Sequence, residues 1–195
     1  MTNKVVRFLK ERILPDLDKG RPNWDKPHTL CVVIKIKSII EHNPDLKLDK
    51  NVLIISAYAH DWGYSGLFEN NVPLQLDEVK NAKEAHAILG ADRIENLLKN
   101  DIFDYLSIKQ KERIKHLVFV HDRVEQLIDT DELILMEADT LGGLDIEYVK
   151  PTFNKESNER YMKGVMNGRL PKFISAYSKI EARRLIDARS GYYDN

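Results

Sequence analysis

Apolar residues recur at three- and four-residue intervals along almost the whole of this 195-residue chain, and its glycines, prolines and asparagines fall between the periodic stretches. A 3.6-residue period interrupted in this way predicts amphipathic helices joined by turns. The expected fold class is therefore all-α, a helical bundle with helices over about 3–14, 28–42, 50–61, 79–99, 108–121, 123–129, 131–141, 145–165 and 171–189. Pro44 and Pro171 mark breaks, and there is no internal repeat or low-complexity tract. The exception is Asp61 to Asp77, DWGYSGLFENNVPLQLD, where two glycines, two adjacent asparagines and a proline leave no helical period. That stretch is expected to be a loop, either a substrate lid or a surface connection with Trp62, Leu67 and Phe68 tucked into the core.

A chain of this length is most simply one domain, residues 1–195, able to bury roughly 70% of its unfolded surface without disulfides. Lys+Arg 30 against Asp+Glu 31 gives a formal net charge of -1. No global field draws nucleic acid or an anionic membrane toward it, so an anionic substrate must be held locally. The single cysteine, Cys31, can form no intrachain disulfide, which fits a reducing cytoplasm. The N-terminal MTNKVVRFLKERILP mixes its charges and does not read as a signal peptide, and no run approaches the ~18 apolar residues of a membrane span.

Six residues stand out because each lies on the face of its helix that the pattern buries. His28 heads a stripe through Val32, Ile36 and Ile39. The stretch VLIISAYA, apolar or small all round like a central helix, ends in His60 and Asp61. His86 shares a stripe with Ala82 and Leu89, His121 closes the stripe Ile114, Leu117, Val118, and Asp139 follows Leu135 and Met136. One such histidine is ordinarily a hydrogen-bonded core residue. Four inward histidines and two inward aspartates from five helices would bury too much unsatisfied polarity without a shared centre. Their nitrogen and oxygen donors suit Mn, Fe, Ni or Co, with Zn or Mg as further options, and the absence of thiolates argues against a structural zinc cluster. His42 and His116 fall off these stripes.

In order, these residues resemble the HD-domain superfamily, whose His, His-Asp and distant Asp are matched by His28, His60-Asp61 and Asp139. NWDKPHTLCVV is similar to its entry segment, AYAHDWGY to its namesake motif and LMEADTLGGLD to its closing aspartate segment, and the likeness covers about residues 22–145. HAILGA and FVHD resemble the segments of subfamilies with two further histidines, here His86 and His121. The resemblance implies a helical bundle in which His28, His60, Asp61 and Asp139 hold one metal and Asp61 bridges to a second on His86 and His121. In a mononuclear variant, His86 and His121 face the substrate's phosphate instead. Tyr64 stands where cyclic-dinucleotide phosphodiesterases of the superfamily carry a lysine, their Gly-Tyr-Pro signature is missing, and HDWGYSG lacks the Glu-Asp pair of the alarmone hydrolases.

The activity so implied is metal-dependent hydrolysis of a phosphate ester or anhydride in a small phosphorylated metabolite or nucleotide, by attack of metal-activated hydroxide that Asp61 orients. Lys83, one turn before His86, and Arg123, just beyond His121, are the candidate phosphate binders, although solvated surface charge is the ordinary role of such residues. Glu69 or Asp122 could relay a proton. Two other readings stay open: a di-iron oxygenase, since superfamily members with these ligands cleave C–C or C–P bonds, and a non-catalytic sensor or assembly module. The stretch after Pro171, with a stripe of Phe173, Tyr177 and Ile180, could form a homo-oligomer contact or pack on its own domain.

Overall fold

A computed structural model describes residues 1–68 and 75–193. Its helices are α1 (Asn3–Leu17), α2 (Asp25–His42), α3 (Lys50–Ala59), α4 (Leu76–Asn81), α5 (Lys83–Leu97), α6 (Ile108–Val120), α7 (Thr130–Leu144), α8 (Lys155–Gly164) and α9 (Ala176–Ser190), and no strand occurs among the described residues. The fold is all-α, as the periodicity predicts.

Local chemistry sets most helix starts. Asp49 accepts from the Asn51 and Val52 amides ahead of α3, and Ser107 with Gln110 and Asp129 with Glu132 form reciprocal caps ahead of α6 and α7. Such caps satisfy amides that the first helical turn leaves unpaired, at about 1 kcal/mol each. α1 buries Val5, Leu9, Ile13 and Leu17, one residue per turn. It runs past Pro15, because proline's φ is already helical and its ring removes only one hydrogen bond so near the end.

α3 is the central helix. It buries seven of its ten residues and packs against α2, α6, α7 and α1. α2 lies along α7, α5 along α6, and α7 against α9. The buried apolar side chains form one contiguous cluster from Val5 to Leu185, with a small satellite of Trp24, Cys31 and Val149. Two buried cations tie the C-terminal helices to this core. Lys35 on α2 reaches Asp145 at 2.7 Å and Glu181 on α9 at 3.1 Å. Arg189 donates to Asn158 at 2.8 Å and to the Gly143 carbonyl at 2.7 Å.

The structure corrects four expected elements. The helix over 79–99 begins earlier, behind a Gln75–Glu78 cap, and is divided at Ala82 into α4 and α5. The helix over 123–129 is a single 3-10 turn, Val124–Gln126. The helix over 145–165 starts ten residues late: Asp145 turns to extended backbone, Pro151 would cost a helix running through its middle about 3 kcal/mol, and α8 begins only behind its Asn154 cap. α8 then widens into one π-helical turn, Val165–Arg169. In the expected 61–77 loop, Trp62–Tyr64 is a buried 3-10 turn packed on α5, and Leu67 and Phe68 are half-buried. Glu69, one of the two suggested proton relays, lies outside the described residues. Among the described residues no helix is long and apolar enough to cross a membrane. Of the stripe after Pro171, Phe173 is buried ahead of α9 and Tyr177 stacks on His42 at 4.2 Å, while Ile180 is 70% exposed.

Candidate metal centre

The six residues singled out by their buried faces converge. His28 sits one turn into α2, His86 one turn into α5, and Asp139 midway along α7. His60 and His121 are the residues at which α3 and α6 end, and Asp61 follows directly. All six are buried, none more than 9% exposed. Their donor atoms form two groups that share Asp61: His28, His60, Asp61 and Asp139, and Asp61, His86 and His121, each with its donors within 4.8 Å of one another.

Atom by atom, the carboxylates divide between imidazoles and guanidinium groups. Asp139 presents Oδ1 to His28 Nε2 at 2.9 Å and Oδ2 to Arg169 at 2.6 Å. Asp61 Oδ2 lies 3.2 Å from His60 Nε2 and 3.4 Å from His28 Nε2, and also takes a hydrogen bond from Arg21. Its Oδ1 faces the other pair, 3.6 Å from His121 Nε2 and 4.0 Å from His86 Nε2. Asp61 is thus placed with one oxygen toward each group.

This donor set fits a cation on three grounds. His60 Nδ1 donates to the Ala57 carbonyl at 2.9 Å and His121 Nδ1 to the Val118 carbonyl at 2.8 Å, which leaves each Nε2 lone pair free. Those lone pairs face other ring nitrogens, His60 against His28 at 3.2 Å and His121 against His86 at 3.4 Å, an arrangement that a shared proton or a cation between the rings satisfies. Finally, α3 and α6 aim their C-terminal ends, the negative poles of their dipoles, at the centre.

The electrostatics agree. Burial alone would raise the Asp61 carboxyl, but Arg21 and His60 outweigh it; Arg169 and His28 do the same for Asp139, and both stay well below the usual carboxylate range. Burial opposes a charge on His60, yet Asp61 and Asp139 lift its pKa to about 9. A proton there takes the place a metal would fill. Burial and the neighbouring His121 instead push His86 down to about 4, and burial lowers His28 as well, so both are neutral bases at pH 7. Tyr64 stacks flat on His86 at 4.0 Å and Trp24 on His28 at 5.5 Å, fixing both ring planes.

The centre opens into a cavity of about 660 Å³, walled by α4, α5, the 124–126 turn, α8 and its π-helical extension. The family model described as "HD domain" matches residues 27–143, more than half of the chain. The chain belongs to the HD domain family. No curated protein and no solved structure matches it. All six donors lie inside the matched stretch, and the two arginines that touch their carboxylates lie outside it.

The predicted phosphate binders divide. Lys83 lines the cavity, 3.2 Å from Asp122 and 41% exposed. The structure does not bring Arg123 there: its guanidinium lies 4.0 Å over the Phe119 ring and pairs with Glu84 at 2.9 Å. Packing that flat group on an aromatic face, with Glu84 of α5 as its ion-pair partner, holds it away from the cavity lining. Asp122, the other suggested relay, does reach the cavity.

Sequence reasoning missed Arg21 and Arg169. Arg21 binds Asp25 at 2.5 Å as well as Asp61, and lies 4.1 Å over Tyr64. Arg169 bridges Asp139 and Asp122 and contacts Thr140 at 3.2 Å. Each is a single charge in a polar stretch with no stripe to mark it. Arg169 owes its aim to the π-helical turn, which the sequence does not announce.

Proposed function

We propose that this HD domain is a metal-dependent phosphohydrolase that cleaves a phosphate ester or anhydride of a small metabolite or nucleotide. The observation that carries the reading is the joining of the donor cluster to a cavity whose remaining charged walls are mainly cationic: Arg21, Arg169, Lys80, Lys83 and Arg160. With the centre's carboxylates neutralised by divalent cations, these groups leave the cavity positive, and guanidinium and ammonium donors match phosphate oxygens.

His28, His60, Asp61 and Asp139 would hold one ion, and His86 and His121, with Asp61 shared, a second. Mn, Fe, Ni or Co suit these donors best, with Zn or Mg as further options. Such ions supply a water activated near neutral pH and polarise a phosphoryl oxygen. The chain's own residues do the rest. Arg169 takes one oxygen of Asp139 and holds the other toward His28, while Arg21 bonds the Asp61 oxygen that also faces His60 and His28 and so fixes that carboxylate's orientation. Lys83, at the cavity wall, swings from Asp122 to the substrate's phosphate. Lys80 and Arg160, about half exposed at the mouth, capture the anion. Trp24 and Tyr64 close one side of the centre and keep bulk water from the imidazoles.

The test is a screen of phosphorylated compounds, from phosphomonoesters to nucleoside triphosphates, with metal-restored protein and phosphate release as readout. Turnover that disappears in Asp61→Ala is expected. Absence of phosphate release from every class by fully metal-loaded protein would refute the proposal.

A further inference from the structure

The second group of donors is short of a carboxylate. The first has two histidines and two aspartates, while the second has two histidines and only a share of Asp61. The residue after His121 is Asp122, so the chain carries a second His-Asp pair, and it is built like the first. In each, the histidine is the residue at which a helix ends, with φ near -54° for His60 and -53° for His121. In each, Nδ1 bonds the carbonyl three residues back and Nε2 faces the centre. In each, the aspartate accepts from a partly buried arginine, Arg21 for Asp61 and Arg169 for Asp122.

We propose that Asp122 is a seventh donor of the centre, the carboxylate that completes the group formed by His86 and His121. Its two oxygens are used unequally. Oδ1 takes both Arg169 and Lys83, whereas Oδ2 points past them to lie 3.9 Å from His86 Nε2. A partner for Arg169 and Lys83 alone would not need that second oxygen turned toward the His86 ring. Arg169 holds Asp139 and Asp122 by the same device, one oxygen of each, so that their free oxygens serve the two groups from one side. With Asp122 each group has two imidazoles and a carboxylate of its own, and Asp61 stands between them.

This inference rests on the metal centre but not on the phosphohydrolase reading, and metal binding tests it without any substrate. Chelator-stripped protein is titrated with Mn²⁺, followed by calorimetry and by the electron paramagnetic resonance signal of a coupled manganese pair. Wild type is expected to take up two ions per chain. Asp122→Asn, nearly the same shape, should weaken the second ion at least about tenfold and abolish the coupled signal while the first ion binds as before. Asp122→Glu should recover part of both, a rescue that a purely structural role would not give, and circular dichroism checks that each variant is folded. Wild-type binding of both ions by Asp122→Asn would overturn the assignment. So would equal weakening of both ions, or uptake of only one ion by the wild type.

Discussion

Gly63→Ala should disable half of the centre from a position that holds none of its ligands. Gly63 lies in the buried turn after Asp61, against the first turns of α5. A Cβ on it would overlap the His86 carbonyl oxygen and lie 2.7 Å from both the His86 carbonyl carbon and the Gly90 nitrogen. Ordinary contact begins near 3.4 Å and the His86 oxygen would lie at 1.8 Å, so it must retreat by about 1.6 Å, and all three atoms are backbone that no rotamer change can move. Metal–nitrogen bonds tolerate about 0.2 Å. His86 therefore leaves the reach of an ion shared with His121, while His28, His60 and Asp139, on α2, α3 and α7, stay in place. Overpacking of this kind costs about 1–3 kcal/mol, and a chain of this size loses roughly 2–4 °C of Tm per kcal/mol. The expected outcome is a Tm lower by several degrees and a second metal equivalent weakened at least about tenfold, with the first retained, as read by calorimetry on stripped protein. Gly164→Ala is the control, since a Cβ there meets nothing within 4 Å. A Gly63→Ala protein that keeps wild-type Tm and binds both ions normally would refute the reasoning.

Arg169→Met removes the cation that Asp139 and Asp122 share and leaves Lys83 on Asp122, so urea unfolding should show the metal-free protein destabilised by about 1–3 kcal/mol. Saturating Mn²⁺ should narrow that gap, and an equal loss with and without metal would contradict the role given to this arginine. Gly168 lines the cavity in open space, so Gly168→Leu should raise KM or abolish turnover while Tm holds; unchanged kinetics would place the substrate elsewhere. Glu181, hydrogen-bonded to Arg184 and Lys35, has its pKa lowered from 4.5 to about 2. Its stabilising contribution is complete above pH ~4.5 and is lost as pH falls toward 2. The stability difference between wild type and Glu181→Gln should accordingly shrink between pH 6 and pH 3 in denaturant titrations, and a constant difference would contradict the pairing.

The six converging residues are legible because burial and polarity conflict in them. His86 and Asp139 occupy positions where the helical period demands an apolar residue, and only a shared centre resolves six such conflicts at once. Helix class was legible for the same reason, since the period that builds α1 and α6 is repeated over several turns. What escaped depends on chain geometry rather than on pattern. Arg169 is aimed by a π-helical turn, and Arg21 acts across a cation–aromatic contact with Tyr64 that no spacing encodes. The early start of α4 and the late start of α8 reflect capping by Gln75 and Asn154, short-range chemistry that the wider apolar period overrides when the chain is read by period alone. Arg123 shows the converse: adjacency to His121 in sequence does not carry it into the cavity, because α6 ends at His121 and the side chain packs on Phe119 and Glu84.

The most direct measurement is the metal content of protein purified without chelators and then reconstituted, by mass spectrometry of the ions per chain. Convergence of His28, His60, Asp61, His86, His121 and Asp139 predicts two divalent transition ions per wild-type chain and loss of both in Asp61→Ala, whose carboxylate serves both groups. No ion above background in the wild type, or full metal content in folded Asp61→Ala protein, would contradict it.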